Sequence, residues 1–159
     1  MKFKREEDLE MATVPFIEKY FDNWSWQVPN HNLVIDFGGI KKNTLIGIEY
    51  KLSNWKRGIW QARGHRLAFD YLYVLLPFRK ISVALCKEAR KHGIGILLFN
   101  VAFGKSIDVI IKPKWQRLTW PPNRKEIIRH IKEIALHKRQ FSNEEWEIMK
   151  DKFIKFNSI

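Results

Sequence analysis

The sequence has little cysteine and no long apolar run, and each shortage excludes a class of protein. Cys86 is the only cysteine among 159 residues, so neither an internal disulfide nor a cysteine-based zinc site can form. A single cysteine also favours a reducing, intracellular location. The longest apolar runs, YLYVLLPF and IGILLF, are far shorter than the ~20 residues of a membrane-spanning helix. Because the beginning, MKFKREEDLE, is too charged for a signal peptide, we expect a soluble, cytoplasmic protein with no membrane partner.

Acidic residues are also scarce, with 17 Asp and Glu against 29 Lys and Arg, which gives a formal net charge of +12. Such a surplus favours a polyanionic partner, because neutralised phosphates release counterions and because the protein's field steers association. Nucleic acid is the commonest partner of this kind, although a merely soluble basic protein would carry the same charge. A glycine-rich nucleotide loop is absent, since Gly93 and Gly95 lack the rest of a dinucleotide fingerprint.

The hydrophobic content of 45% is enough to bury the core of one domain. Apolar periodicity predicts the element order α, β, β, α, β, α, β, β. The first helix covers residues 5–21, where Pro15 should kink it or begin a second helix. The next two strands, residues 33–37 and 45–52, should pair as a hairpin across a GGIKKNT turn. Alternation of helices with buried strands indicates an α/β fold.

The second half of the chain continues this alternation. The helix WKRGIWQARGHRLAFD and the strand YLYVLLP precede the helix FRKISVALCKEARKH and the strand GIGILLFNV. A last strand, SIDVIIKP, should pair antiparallel with its predecessor. Two tail helices follow, and the second has a capping box of Ser142 and Glu145 and an apolar stripe of Trp146, Met149 and Phe153. We expect one domain over residues 1–159, with a core at about 5–112 and a C-terminal helical extension at about 122–156.

The predicted hairpin, IDFGGIKKNTLIGIEYKL, contains three charged residues of interest. Glu49 and Lys51 share one face of their strand because side chains alternate, while Ile48 and Tyr50 share the other. Asp36 lies on the partner strand, close enough for its carboxylate to approach that of Glu49. Two carboxylates and the Tyr50 backbone carbonyl would form an all-oxygen site suited to Mg²⁺ or Mn²⁺.

Lys51 beside this site could help to activate an attacking water and stabilise the negative charge that forms in phosphodiester hydrolysis. A simpler interpretation is an amphipathic hairpin whose polar residues face solvent, with Asp36 before Gly-Gly as ordinary turn chemistry. The hairpin pattern alone favours the simpler interpretation.

Residues on the following helix support the catalytic interpretation. Arg57, Gln61 and His65 recur every four residues, so they form one stripe near the same end of the sheet, although such a stripe is also typical of a solvated face. Trp55 and Trp60 flank the site and could stack on bases, although packing roles are commoner for tryptophan.

The first helix offers a further carboxylate. Glu6, Glu7 and Glu10 compete for this role, and Glu7 and Glu10 share a face because they are three residues apart. Acidic residues near a helix start are also favoured by the helix dipole alone.

Together these motifs resemble the PD-(D/E)XK nuclease superfamily, which includes restriction endonucleases and Holliday-junction resolvases. The resemblance spans about residues 6–112 and is carried by VIDFGG, IGIEYKLSNWKRGIWQARGHRLAFDYLYVLLP and EARKHGIGILLFN. It implies a restriction-endonuclease-like αβββαβ core with a mixed central sheet flanked by helices. It also implies a Mg²⁺-dependent endonuclease, with Mn²⁺ able to substitute.

The resemblance also implies roles for individual residues. Asp36 and Glu49 would be metal ligands together with the Tyr50 carbonyl, Lys51 the catalytic lysine, and Gln61 a supporting residue. Glu10 is our first choice for the helix carboxylate and Glu7 the second. Ile35 stands where the superfamily motif has its proline, which has no chemical role itself.

DNA is the expected partner, and the residues expected to contact it are Lys41, Lys42, Lys56, Arg57, Arg63 and His65. A homodimer would suit cleavage of both strands. The alternative is a nucleic-acid-binding protein that keeps the nuclease-like fold without catalysis.

Overall fold

The structure of this protein is a computed structural model that describes residues 2–102, 104–116 and 119–140, with side chains up to residue 137. The predicted second tail helix, with Ser142, Glu145, Trp146, Met149 and Phe153, lies outside the described residues. The described helices and strands are α1 (Glu6–Tyr20), β1 (Asn23–Asn30), β2 (Leu33–Lys41), β3 (Thr44–Tyr50), α2 (Trp55–Gly64), β4 (Tyr71–Pro77), α3 (Val83–His92), β5 (Gly95–Asn100), β6 (Ser106–Ile111) and α4 (Pro121–Gln140).

Six strands form one mixed sheet in the order β1-β2-β3-β4-β5-β6. The pairs β1–β2, β2–β3 and β5–β6 are antiparallel, and β3, β4 and β5 are parallel to one another. Parallel neighbours need crossover connections, which α2 and α3 supply. The expected mixed α/β sheet with an αβββαβ beginning and flanking helices is confirmed.

Two apolar clusters lie on opposite faces of the sheet. One contains Ile59 of α2, Leu85 of α3 and Ile131 of α4. The other contains Leu9 and Ile17 of α1. Helices therefore cover both faces, which explains why β3 is buried over almost its whole length instead of alternating with solvent.

The first strand, β1, was missed by the sequence-based element order. Its sequence, NWSWQVPN, contains Pro29 and three residues that disfavour strands, and Gln27 adopts a left-handed φ of 50°. Pro29 is tolerated because β1 is an edge strand. Pairing with β2 and packing against α4 outweigh the weak local preference.

The double glycine was predicted as part of a turn, and this prediction was wrong. Gly38 and Gly39 pair inside β2, and the hairpin turns at Lys42 and Asn43. A Cβ at Gly39 would lie 2.5 Å from the ring of Phe21, so glycine is needed there for close packing.

Pro15 lies inside the continuous helix α1, so no second helix begins there. Two helix boundaries differ from expectation. The second helix ends at Gly64, six residues earlier than expected, and His65 caps it. The third begins only after Ser82, whose hydroxyl accepts a hydrogen bond from the Leu85 N–H.

The helix α4 is fixed to the sheet by charge as well as by packing. Arg124 donates to the Asp70 carboxylate at 2.8 Å and to the Asn43 carbonyl at 2.7 Å. Asp70 also accepts the Leu45 N–H at 2.8 Å.

Among the described helices, none is both long enough and apolar enough to cross a membrane.

Candidate active site

Asp36 and Glu49, the carboxylate pair, meet where the pairing of β2 with β3 ends. The ladder between these strands runs from Lys41 to Phe37 on the β2 side. One residue farther, Asp36 Oδ2 accepts the Tyr50 backbone N–H at 2.8 Å. The Asp36 side chain therefore takes the place of a backbone acceptor, which holds its carboxylate at the end of β3.

Neither Glu49 nor Lys51 is on a hydrated face, so the simpler interpretation of a solvated hairpin was wrong for these two residues. Glu49 is 1% exposed and Lys51 7% exposed. A charged group is seldom buried without compensating partners, because removal from water is costly. The buried charges at the end of β3 therefore depend on one another.

The Lys51 ammonium lies among four oxygen atoms. Its Nζ donates to the Tyr50 carbonyl at 2.7 Å and to Glu6 Oε2 at 3.4 Å. It lies 3.8 Å from Asp36 Oδ2 and 4.0 Å from Glu49 Oε2. A positive group surrounded in this way partly neutralises the carboxylates.

The close approach of α2 fixes the stem of Lys51. A Cβ at Gly58 would lie 2.9 Å from Lys51 Cγ and 2.9 Å from Val74 Cγ1. Only glycine lets the first turns of α2 pass this near to β3 and β4 without displacing either side chain. Asn54 caps the same helix by accepting the Arg57 N–H.

The pKa values of the carboxylate pair are raised. Burial, followed by the charge of Glu49, raises the pKa of Asp36 to about 7. Burial is also the main cause of the raised pKa of Glu49, and the nearby Lys51 charge opposes it. The two groups therefore compete for a proton or for another cation, as adjacent buried carboxyls do.

A chain of buried polar groups reaches Glu49 from α4. Asn123 Nδ2 donates to Asn30 Oδ1 at 2.8 Å, and Asn30 Nδ2 lies 3.0 Å from His65 Nδ1. An amide that accepts through Oδ1 presents its NH₂ to His65, so Nδ1 accepts and Nε2 carries the ring proton. That Nε2 lies 3.5 Å from Glu49 Oε1, which has no hydrogen-bond partner among the described residues.

His65 differs from its expected role as a nucleic-acid contact. Its ring is 2% exposed, and burial lowers its pKa to about 4, so it is neutral at physiological pH. To touch a phosphate, the ring would have to leave Asn30 and Glu49. Sequence reasoning missed Asn30 and Asn123, because they are 93 residues apart and no local motif joins them.

The three glutamates of α1 occupy different environments. Glu6 contacts Lys51. Burial, followed by the charge of Asp36, raises the pKa of Glu10 to about 7, so Glu10 belongs to the same electrostatic cluster. Glu7 is exposed. Glu10, our first choice, thus lies with the site, and Glu6 rather than Glu7 accompanies it.

Gln61 lines a cavity beside His65. Its Oε1 is buried, and no described residue offers it a hydrogen bond. Its supporting role therefore stays a prediction.

The expected basic contacts fall into two groups. Lys56 and Arg57 are exposed on the first turn of α2, above Lys51, and Arg63 is half-buried near its end. Lys41 and Lys42 lie at the far end of the hairpin, about 16 Å along β2 from Asp36 at the usual rise per residue. Of the two groups, the α2 group belongs to the helix whose Gly58 packs against the stem of Lys51.

The chemistry of these oxygens fits a hard divalent cation. Carboxylates and a carbonyl are the ligands that Mg²⁺ and Mn²⁺ prefer, and the unpartnered Glu49 Oε1 is an available donor atom. The Tyr50 carbonyl, however, is bound by Lys51, with which a second cation would compete. Throughout the described ranges, no three His, Cys, Asp or Glu side chains are already grouped to hold a metal ion.

Comparison with known proteins gave limited similarity. No family of known proteins matches the sequence, and no curated protein does. Among solved structures, the chain is similar to SfsA of Pyrococcus furiosus in complex with Ca²⁺, with 12% sequence identity and a TM-score of 0.35. The match covers 69% of this chain and 61% of SfsA, which is less than two thirds of the length of SfsA.

Proposed function

We propose that this protein is a Mg²⁺-dependent DNA endonuclease of the PD-(D/E)XK type, with Mn²⁺ able to substitute. The observation that carries the proposal is the position of the Lys51 ammonium, which lies within 4.0 Å of carboxylate oxygens from Glu6, Asp36 and Glu49. Asp, Glu and Lys at the end of adjacent strands are the residues that the superfamily motif requires. Their burial argues against a purely solubilising role.

Each residue would have a distinct task. Asp36, Glu49 and the Tyr50 carbonyl would hold the cation, with Glu10 as a further carboxylate. A bound divalent cation would supply charge neutralisation at the phosphate and would lower the pKa of water. Lys51 would donate a hydrogen bond to the phosphate oxygen that gains negative charge.

The basic surface of α2 would hold the DNA backbone through Lys56, Arg57 and Arg63. Such contacts position a duplex without reading its sequence. The net charge of +12 supports this role through counterion release. A homodimer, which would bring two such sites to the two strands, is part of the proposal, as is action inside the cell.

The direct test is a cleavage panel with supercoiled, linear, single-stranded and four-way-junction DNA in Mg²⁺, Mn²⁺ or EDTA. We expect cleavage only with a divalent cation. Asp36→Asn and Glu49→Gln should lower the rate by about 100-fold or more, because each removes a charge from the reacting centre. The matched control is Glu18→Gln, an exposed carboxylate on α1. Wild-type activity in both site variants, or cleavage in EDTA, would contradict the proposal.

One observation favours a second candidate, a nucleic-acid-binding protein without catalysis. The Tyr50 carbonyl accepts a hydrogen bond from the Lys51 ammonium at 2.7 Å, so a cation of the protein itself already occupies this oxygen and partly neutralises the carboxylates. This candidate predicts salt-sensitive DNA binding that is identical in Mg²⁺ and in EDTA. Calorimetric titration with Mg²⁺ separates the two, because only the nuclease should bind the cation in an Asp36-dependent manner.

A further inference from the structure

A cavity lies beside His65, the residue that faces Glu49 of the carboxylate pair. The cavity has a volume of about 440 Å³ and is formed between the start of β2 and the C-terminal half of α2. We call it the α2 cavity, and it is lined by Leu33, Val34, Trp60, Gln61, Arg63, Gly64, His65, Arg66 and Leu67. Its volume is within the range of sites that take a small molecule or a single nucleotide.

One wall of the α2 cavity is apolar and exposed. Trp60 is 70% exposed, and Leu33, Val34 and Leu67 are exposed beside it. Gly64 follows Trp60 by one helical turn and has no side chain, so the space next to the indole stays open. An exposed indole above an apolar floor is a surface on which a planar ring can stack.

The polar part of the wall is basic. Arg63 and Arg66 both line the cavity, and its described lining contains no Asp or Glu. An anionic ligand is therefore favoured over a cationic one. A planar apolar ring that carries a negative charge is the chemical description of a nucleotide, and guanidinium groups bind phosphate well.

The cavity and the carboxylate pair lie on either side of one residue, His65. His65 is among the lining residues of the cavity, and its Nε2 lies 3.5 Å from Glu49 Oε1. A nucleotide in the cavity would thus be a near neighbour of a phosphate at the site. A base that is paired within a DNA duplex has both faces stacked on neighbouring bases. It cannot stack on Trp60 unless it leaves the duplex.

We propose that the α2 cavity binds one unpaired nucleotide of a DNA strand, with its base on Trp60 and its phosphate on Arg63 and Arg66. This inference rests on the proposed function, because it takes DNA as the substrate and makes the substrate a single strand, a flap or a junction with unpaired bases. Trp60, Arg63 and Arg66 would then select DNA with unpaired bases over fully paired duplex DNA.

The test is binding in EDTA, which prevents cleavage, measured by fluorescence anisotropy with a labelled single-stranded oligothymidine of about ten nucleotides. Trp60→Ala should weaken binding about tenfold, since one stacked base is lost, and Trp60→Phe should restore most of it. The matched control is Trp115→Ala, because Trp115 is 56% exposed and does not line the cavity. Binding of a fully paired duplex should be the same in wild type and Trp60→Ala.

Charge is tested in the same assay. Arg63→Gln and Arg66→Gln should each weaken single-strand binding and reduce its salt dependence more than Arg90→Gln, an exposed arginine on α3. The inference is overturned if Trp60→Ala and Trp115→Ala bind alike, or if Trp60→Ala loses duplex and single-strand binding equally. Because Trp60 is exposed, its loss should not unfold the protein.

Failure of this inference can be distinguished from failure of the proposed function. If Trp60→Ala binds single strands like wild type while the wild type cuts DNA with Mg²⁺, the cavity proposal alone fails. If the Trp60-dependent binding is present and no DNA form is cut, the nuclease proposal alone fails.

Discussion

His65 and Glu49 face each other inside the protein, with His65 Nε2 3.5 Å from Glu49 Oε1 and both side chains buried. Because Asn30 presents its amide NH₂ to Nδ1, the proton of the neutral ring is on Nε2, the nitrogen near the carboxylate. The neutral imidazole thus presents an N–H toward Glu49 without adding a charge, although Glu49 Oε1 accepts no hydrogen bond from the described residues. Such a partner behind a ligating group commonly fixes its direction and basicity.

Replacement of His65 should lower activity without removing any proposed ligand. We expect His65→Ala to reduce metal-dependent cleavage by about 10- to 100-fold, the usual effect of losing a partner of a ligating residue. His65→Gln should restore part of it, since a neutral amide can present an N–H to Glu49 in place of the imidazole. Steady-state cleavage rates measure the effect, with His31→Asn, at an exposed turn, as the control. Equal cleavage rates for His65→Ala and the wild type would mean that Glu49 does not depend on His65 for its position.

Lys51 should oppose cation binding even though we propose that it assists catalysis. In Lys51→Met the ammonium no longer occupies the Tyr50 carbonyl or neutralises the carboxylates, so divalent cations should bind at least about tenfold more tightly. Cleavage should be lost in the same variant. Calorimetric titration with Mg²⁺ at pH 8 measures affinity, and Lys56→Met, an exposed lysine on α2, is the control. Unchanged affinity in Lys51→Met would show that the ammonium and the cation do not compete.

The contribution of Asp36 to stability in metal-free buffer should fall as pH rises from about 4 to about 7. The folded pKa of Asp36 is raised to about 7, whereas an unfolded Asp titrates near pH 4. In this window the Asp36 carboxyl holds more protons in the folded chain than in the unfolded chain, so its contribution to the free energy of unfolding decreases with pH. Urea denaturation across the window measures how the free energy of unfolding changes with pH, and this slope should be more positive in Asp36→Asn than in the wild type. A slope unaltered by Asp36→Asn would show that Asp36 does not titrate there.

Two glycines of α2 should respond oppositely to alanine. A Cβ at Gly58 would meet Lys51 and Val74 at 2.9 Å, so Gly58→Ala should cost about 1–3 kcal/mol and reduce cleavage. At Gly64 the nearest atom would be Leu33 Cδ1 at 3.3 Å, so Gly64→Ala should be neutral or gain up to about 1 kcal/mol of helix propensity. Urea denaturation gives both values. A gain in both variants would mean that α2 can move away from β3.

Periodicity was enough for the parallel centre of the sheet and for the antiparallel edge strand β6, but not for the opposite edge strand β1. The bounds of β4 were predicted residue for residue, because YLYVLLP is a continuous apolar run that follows the charged Asp70 and ends in a proline. β1 was missed because its stability comes from α4 and β2, which are distant in sequence. The extent of β2 was underestimated because Gly39 serves a packing contact with Phe21 and not a turn.

Of the candidate site, the sequence could predict only which side chains share a face of a strand, because side chains alternate between the two faces. Alternation put Glu49 and Lys51 on one face, and the structure agrees. It could not give their burial, which depends on the close passage of α2 at Gly58. It also could not connect Asn30 or Asn123 to His65, because such contacts depend on how β1 and α4 meet.

The contacts of helix α4 limit how far the protein can be shortened from its C-terminal side without damage to the site. A fragment ending near residue 112 would keep both carboxylates, Lys51 and all six strands. It would lose Asn123, which fixes the amide of Asn30, and Arg124, which joins α4 to Asp70. It would also uncover the sheet face on which Ile131 packs. The smallest working unit therefore includes α4, and a shortened protein would retain the charged groups while losing the order of His65 behind Glu49.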